Sequence, residues 1–310
     1  TISMLCLWLR EQILIKIKTN KMNIGKYIEE FVDWLSRAGA PIFSQITIMI
    51  ENTVDVLQEM LLAVPFFVII ALFALVSFFI KNKSFTKFQI TAKNWRYYLD
   101  LPSFCVVGLG LVYLMCYWDE MIATFILVVV ATIIILIIGI PVGIWCAGNS
   151  RANAIVKPIL DFMQTMPAFV YLIPAILFFS VGNVPGVLAT VIFSLPPAVR
   201  MTTLGILEVP KETVEASTAF GCTRKQTLFK VQIPLAMPTI LAGVNQVIML
   251  ALSMVVIASM VGAGGLGESV YASIQQADIA LGFEAGLCIV ILAIILDRMT
   301  QAIGKKEEDK

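Results

Sequence analysis

The sequence predicts an all-α protein: a polytopic transmembrane helical bundle of about seven spans, preceded by amphipathic N-terminal helices. Three observations carry this. Of the 310 residues, 59% are hydrophobic and only 14% are charged, against about 25% charged in soluble domains, and mean hydropathy is +0.91. Beyond residue 60 the apolar residues come in runs close to the ~20 that an α-helix needs to cross a bilayer. The cations after residue 60 fall in alternate intervals between those runs, as the bias of Lys and Arg toward the cytoplasmic side requires.

Taken in order, residues 1–60 form an N-terminal extension. Thr1 to Lys21 mixes apolar and basic residues, and Arg10, Lys16 and Lys18 interrupt it too closely for a span. No small-residue site of the kind that ends a signal peptide follows, and one reading starts the natural chain at Met22. Residues 24–35 then carry Ile24, Ile28, Phe31, Val32 and Leu35 at helical spacing. Gly39, Ala40 and Pro41 are expected to break that helix. Residues 42–60 read as a second amphipathic helix with Glu51, Asp55 and Glu59 on one face. Such a helix fits either the membrane interface or a solvated face packed on the protein.

The membrane domain is expected over 61–303, with spans at 61–80, 99–117, 121–147, 158–181, 184–202, 238–261 and 281–303, and a charged tail at 304–310. Lys81, Lys83, Lys87, Lys93 and Arg96 share one interval. Arg151 and Lys157 share the next on that side, followed by Arg200 to Lys230 and then Arg298 to Lys310. The opposite intervals hold Asp119, Glu120, Glu268 and Asp278 and no cation. This places the 81–98 and 205–238 intervals and the C-terminus in the cytoplasm. It also places residues 1–60 outside despite their cations, a tension that long N-terminal segments tolerate.

Composition excludes several classes. There is no histidine, which removes His-based triads and the commonest metal ligand. Neither GxxxxGK[ST] nor HExxH nor GxSxG occurs, so the chain has no ATP-binding loop of its own and no recognisable hydrolase site. No catalytic or metal-binding residue is expected. Cys6, Cys105, Cys116, Cys146, Cys222 and Cys288 are scattered without a CxxC and read as small core hydrophobes. A net charge of +1 and the absence of a basic stripe argue against a nucleic-acid partner.

The most informative stretch is 205–238, a polar interval between long apolar runs. Pro210 sits where the first turn of a helix tolerates proline. Residues 211–220 read as a short helix with Gly221 as its stop, and 223–231 as a second that ends before Pro234. Glu215-Ala216-Ser217, three residues, Gly221, nine residues and then Val231-Gln232-Ile233-Pro234 resembles the EAA loop of ABC-importer permeases. That pattern is Glu-Ala-Ala, three residues, Gly, nine residues, Ile-x-Leu-Pro. The departures here are Ser217, Val231 and Ile233. The resemblance implies a type I ABC-importer permease fold. It also implies ATPase coupling through Glu215, Ala216, Ser217, Gly221 and Pro234, the loop docking into a cleft on a separate ATPase subunit. Small Ala216 and Gly221 would let the helix pair seat closely, and Glu215 would offer an anion to a basic partner.

Three stretches carry polar or helix-breaking residues inside apolar runs. The first, 158–167, holds Pro158, Asp161, Gln164, Met166 and Pro167, with Pro174 beyond it. The second, 194–200, holds Pro196 and Pro197, expected to kink the end of its helix. The third, 245–254, holds Asn245, Gln246, Met249 and Ser253, with Asn245, Met249 and Ser253 four apart on one face. Broken backbone in lipid is tolerated only where it is buried in protein or faces water. One reading therefore has these helices line a translocation path through Gln164, Met166, Pro167, Pro196, Pro197, Asn245, Met249 and Ser253. The other has methionines filling core gaps and Asn/Gln joining helices. Asp161 near a helix start fits a favourable dipole contact. Residues 261–267, Val-Gly-Ala-Gly-Gly-Leu-Gly, have the glycine content of a phosphate loop. No lysine follows and no strand precedes, so a tight turn that lets a re-entrant segment pack closely is the expectation.

Residues 160–174, 185–200 and 246–267 further resemble the glycine betaine/proline osmoprotectant branch of the permeases, and the similarity extends over roughly 22–303. It implies a multi-pass permease of the bacterial plasma membrane that imports glycine betaine or related solutes (proline betaine, carnitine, choline, proline). The implied partners are a second copy of the permease, two ATPase subunits with CBS domains that bind ATP and Mg, and an external glycine betaine binding protein. That protein would hold the quaternary ammonium in an aromatic cage. The sequence ends at Lys310, so a separate binding protein is expected. The same machine with another amine or amino acid as cargo fits the residues as well. A secondary transporter fits them poorly, because Asp161 and Glu284 lie near span ends and no mid-span acid pair is present.

Overall fold

The computed structural model describes residues 24–81 and 95–308, and every regular element among them is helical. Readings that fall on 1–23, 82–94 and 309–310, including the start at Met22 and three lysines of the 81–98 interval, lie outside the described residues.

The described residues divide into two compact units between Ser44 and Gln45. In the first, helix α1 (Ile24–Ala63) passes Pro41 without interruption, where the sequence predicted a break. Proline's fixed φ is itself helical. Gly39 leaves room for the Phe43 ring one turn on, since an added Cβ would lie 2.6 Å from it. In the second unit α1 runs on to Ala63, with Glu51, Asp55 and Glu59 exposed and Ile50 and Val54 buried. The break comes instead at Val64–Pro65, beyond which α2 (Phe66–Lys81) departs at 103° to the helix before it. The expected span 61–80 is therefore the outgoing arm of a bent pair.

Helix α3 (Trp95–Leu114) and helix α4 (Trp118–Gly148) close around that arm. Phe66 stacks on Tyr113 at 3.8 Å between ring centroids and meets Trp118 edge-on. Ile69, Cys105, Leu109 and Val112 enter one core with Ile122, Ile126 and Ile135 of α4. Asn149 then ends α4 and caps helix α5 (Ser150–Thr165), its side chain accepting from the backbone of Arg151 and Ala152.

The expected span 158–181 is two helices. Pro158 and Pro174 sit inside α5 and helix α6 (Ala168–Phe179) without breaking either. The break is at Met166–Pro167, where Met166 is extended as a residue before proline prefers, and α6 leaves α5 at 98°. Tyr171 holds the bend by donating its hydroxyl to the Met163 carbonyl at 2.5 Å.

Helix α7 (Asn183–Leu207) carries Pro196 and Pro197 unbroken and continues past Arg200, where the sequence predicted the span to end in a kink. Two short helices, α8 (Lys211–Ala219) and α9 (Arg224–Thr227), lead through a π-helical turn at Leu228–Gln232 into helix α10 (Ile233–Ala258). The second short helix thus does not stop before Pro234. The π turn bonds Ile233 N–H to the Leu228 carbonyl, so Pro234, which has no N–H, enters the long helix without ending it.

Among the described residues four helices are long and apolar enough to cross a membrane, and up to six spans result if each bent pair is one. The apolar part of α3, Leu101–Leu114, is shorter. That is why the expected seventh span at 99–117 is not among them. Helix α11 (Leu266–Gln276) and helix α12 (Ile279–Glu308) complete the unit.

Helix α7 is the centre of the packing, and glycine sets how closely its neighbours approach. A Cβ added at Gly139 of α4 would lie 2.7 Å from the Ala198 Cβ; at Gly143, 2.8 Å from the Val199 carbonyl oxygen. On the other side, a Cβ at Gly243 of α10 would lie 2.6 Å from the Met201 Cβ. Thr203 also donates across to the Gly143 carbonyl at 3.1 Å. Without a hydrophobic driving force between helices in lipid, such small-residue contacts and interhelical hydrogen bonds supply the association. We expect Gly143→Val to destabilise the detergent-solubilised protein by roughly 1–3 kcal/mol through overpacking, read as a lower thermal midpoint. Gly148→Ala, where an added Cβ meets nothing within 4 Å, should leave that midpoint unchanged.

Candidate functional site

Two ends of the bundle differ in chemistry. At one, a chain of backbone contacts closes on the glycine-rich turn. Leu266 N–H donates to Thr124 Oγ1 at 2.8 Å, Gly264 N–H to Asn183 Oδ1 at 3.0 Å, and Gly182 N–H to the Val261 carbonyl at 3.0 Å. Gly262 and Gly265 have φ of +84° and +95°, and a Cβ at Gly265 would sit 2.5 Å from Thr124 Oγ1. The 261–267 stretch is thus the tight packing turn that its glycines predicted. Asp119, Glu120, Glu268 and Asp278 are at this end.

The α8–α9 pair is at the other end. Its helices form for local reasons. Pro210 is the N-cap of α8. Gly221, at φ +83°, stops it with the two bonds of a Schellman ending, Gly221 N–H to Thr218 and Cys222 N–H to Ser217. Thr223 and Gln226 then form a capping box for α9. Ser217 joins the two helices: it is buried and lies 3.1 Å from the Thr227 hydroxyl. The residue that departs from the Glu-Ala-Ala pattern is therefore the one that ties the pair.

The pair is rooted in three spans. Val214 and Leu228 pack on a cluster of Ile206 and Val209, at and just beyond the end of α7, with Ala236 and Ile240 of α10. Ile140, Ile144 and Ala147 of α4 join it. The outer face is open. Glu215, Ala216 and Pro234 are exposed, as are Lys211, Arg224, Lys225 and Lys230. Phe220 is 90% exposed and Phe229 63%. Sequence reading passed over both phenylalanines, although an aromatic inside a charged interval, next to the glycine stop, was the available signal.

The residues expected to line a path are not brought into one cluster. Met166 packs with Tyr171, Leu172, Ala175, Ala189 and Met254, while Gln164 and Pro167 are exposed. Pro196 and Pro197 are buried within the packing of α7. Met249 and Ser253 share an exposed face of α10, and Ser253 donates to the Met249 carbonyl at 3.0 Å. Asn245 donates to Asp297 of α12 at 2.7 Å, and Gln301 donates to the same carboxylate. Asp161 lies in the last two turns of α5, not near a helix start as expected, and is salt-bridged to Arg200, a pairing across 39 positions that local sequence does not reveal.

Comparison with known proteins places this geometry among transporters. Residues 139–308 match the profile of the binding-protein-dependent transport system inner membrane component family. The chain is 48% identical over 287 residues to the glycine betaine/carnitine transport permease protein GbuB of Listeria monocytogenes, covering 93% of this chain and 97% of that one. It is 44% identical over 290 residues to the glycine betaine transport system permease protein OpuAB of Bacillus subtilis, covering 94% and 97%. It is 43% identical over 287 residues to the glycine betaine/proline betaine transport system permease protein ProW of Escherichia coli, covering 93% and 77%. Among solved structures, an inward-facing MetNI methionine ABC transporter aligns with a TM-score of 0.56 at 23% identity, over 60% of this chain and 93% of that one. That likeness concerns the fold.

The conformation of Gly221 gives a direct test of how α8–α9 is held. An added Cβ there meets nothing within 4 Å, so only the left-handed backbone resists substitution. We expect Gly221→Val to cost more than ~1 kcal/mol and Gly221→Asn less, because Asn tolerates that region. Hydrogen exchange over 208–232 should rise in the first variant and change little in the second.

Proposed function

The chain belongs to the binding-protein-dependent transport system inner membrane component family, and on that premise we propose that it is the permease subunit of an ATP-driven importer for glycine betaine or a related compatible solute. The observation that carries the reading is near-full-length identity of 43–48% to permeases whose shared solute is glycine betaine. Those relatives are transport permeases and not enzymes. Proline betaine, carnitine, choline and proline are the neighbouring candidates, since selectivity would sit largely in the external binding protein.

In this reading two copies of the chain form the membrane channel in a bacterial plasma membrane, with their C-termini in the cytoplasm. Two ATPase subunits, carrying CBS domains and binding ATP and Mg, sit against the α8–α9 end. The working domain would be 61–303, with 1–60 as an extension and 304–310 as a tail. Phe220 and Phe229 offer apolar side chains to a cleft on the ATPase, and Glu215 and the surrounding cations offer charge that fixes the register. Ser217, Gly221 and Pro234 hold the pair as one body and join it to α10. Closure of the ATPase dimer would then move α7 and α10 together, because Val214 and Leu228 pack on the cluster of Ile206, Ala236 and Ile240. Met249 and Ser253, with Gln164, Met166 and Pro167 at the α5–α6 bend, would face the path. Pro196, Pro197 and Asn245 would support it from behind.

The test is ATP-driven uptake of radiolabelled glycine betaine into proteoliposomes holding the permease, its ATPase and the loaded binding protein. Glu215→Arg is expected to lower uptake roughly tenfold or more, the effect of losing ~1.4 kcal/mol or more of docking, while the ATPase still hydrolyses ATP. Unchanged uptake would contradict the docking role.

A further inference from the structure

Helices α5 and α7 carry opposite charges that meet where the two helices pack together. Asp161 lies on α5 one turn before Gln164, and Arg200 lies on α7 one turn beyond Pro196 and Pro197. Their side chains form the one salt bridge found among the described residues. Arg200 lies about two helical turns, ~10 Å, before the Leu207 end of α7 and at the edge of the expected span 184–202. Asp161 and Arg200 thus lie together toward the α8–α9 end of the bundle, where a solute leaving the path would pass. The pair is also open: the Arg200 and Asp161 side chains keep 38% and 52% of their accessible surface. A salt bridge that accessible is weakly held, so an incoming solute could replace it. The guanidinium is not fully engaged either, since its Nε is buried without a hydrogen-bond partner.

We propose that Asp161 and Arg200 form a zwitterion-reading site at the α8–α9 end of the path. The carboxylate of the passing solute takes Asp161's place on the Arg200 fork, and its ammonium pairs with the released Asp161 carboxylate. Arginine's planar donor fork suits a carboxylate. A quaternary ammonium donates no hydrogen bond and needs only an opposing charge. The exchange conserves both charges: one internal pair opens and two solute pairs close. The site therefore selects solutes that carry a carboxylate together with a fixed cation, and rejects a cation alone, which would leave Arg200 without a counterion. The inference rests on the importer reading above, adds to it a substrate-selective step within the permease, and narrows the neighbouring candidates to those with a carboxylate, setting choline aside.

The experiment uses the complete complex in lipid nanodiscs without binding protein, examined by saturation-transfer NMR with millimolar glycine betaine or millimolar choline. Wild type is expected to transfer saturation to glycine betaine roughly tenfold more than to choline, and Asp161→Asn/Arg200→Gln to lose the glycine betaine signal by a similar factor. That double variant removes both charges together, so neither is left without its partner. Equal signals for the two solutes in wild type would overturn the proposal. So would a glycine betaine signal undiminished in the double variant, which is the result for a salt bridge that merely joins α5 to α7. Should the double variant fail to assemble, the wild-type comparison decides alone. Uptake by the wild-type complex in proteoliposomes is measured in parallel. Its absence would remove the importer reading itself, whereas uptake without NMR discrimination removes only the site.

Discussion

The close approach of α7 to α4 on one side and α10 on the other is the constraint on which the rest depends. Gly139 and Gly143 let α4 touch the backbone at Ala198–Thr202, and Gly243 lets α10 touch Met201. Because those contacts are made by backbone and Cβ atoms, the three spans have almost no freedom to slide. The α8–α9 pair connects α7 to α10 and rests on Ile140, Ile144 and Ala147 of α4. A displacement of that pair is therefore passed to three spans at once. This is the mechanical property that a permease driven from outside its own chain requires, and it follows from small residues placed where long ones would hold the helices apart.

The two ends are built for different purposes. The glycine turn at 262–265 is bound to Thr124 and Asn183 by backbone donors, and its left-handed residues leave no room for side chains. The opposite end exposes Phe220, Phe229 and a mixture of charges that α8–α9 displays without covering. One end is finished within the chain. The other presents apolar and charged groups that a second protein would satisfy, in line with relatives named as permease proteins of transport systems.

Features decided by neighbouring residues were legible in the sequence. Gly221 as a helix stop and the acidic face of α1 depend on residues within a few positions, and the turn at 261–267 was announced by its glycines although Thr124 and Asn183 hold it from a distance. Proline was the main source of error. Pro41, Pro158, Pro174, Pro196, Pro197, Pro234 and Pro238 all sit in continuous helix, while Val64–Pro65 and Met166–Pro167 break it and Pro210 caps a new helix after a break. A proline breaks a helix when the preceding residue turns extended, as Met166 does at ψ 135°. Whether it does so is decided by neighbouring helices, which the local sequence does not contain. The same limit hid Asn245 with Asp297 and Asp161 with Arg200, pairs 52 and 39 positions apart.

The central claim is that α8–α9 is a docking face for an ATPase on the cytoplasmic side. The most direct measurement is sided labelling of a single cysteine at exposed Thr218, in a chain otherwise without cysteine, using a membrane-impermeant maleimide. The account predicts labelling in inside-out vesicles, none in right-side-out cells, and protection when the ATPase subunit is added back to stripped inside-out membranes. Labelling from the outer face, or equal labelling with and without the ATPase, would contradict it.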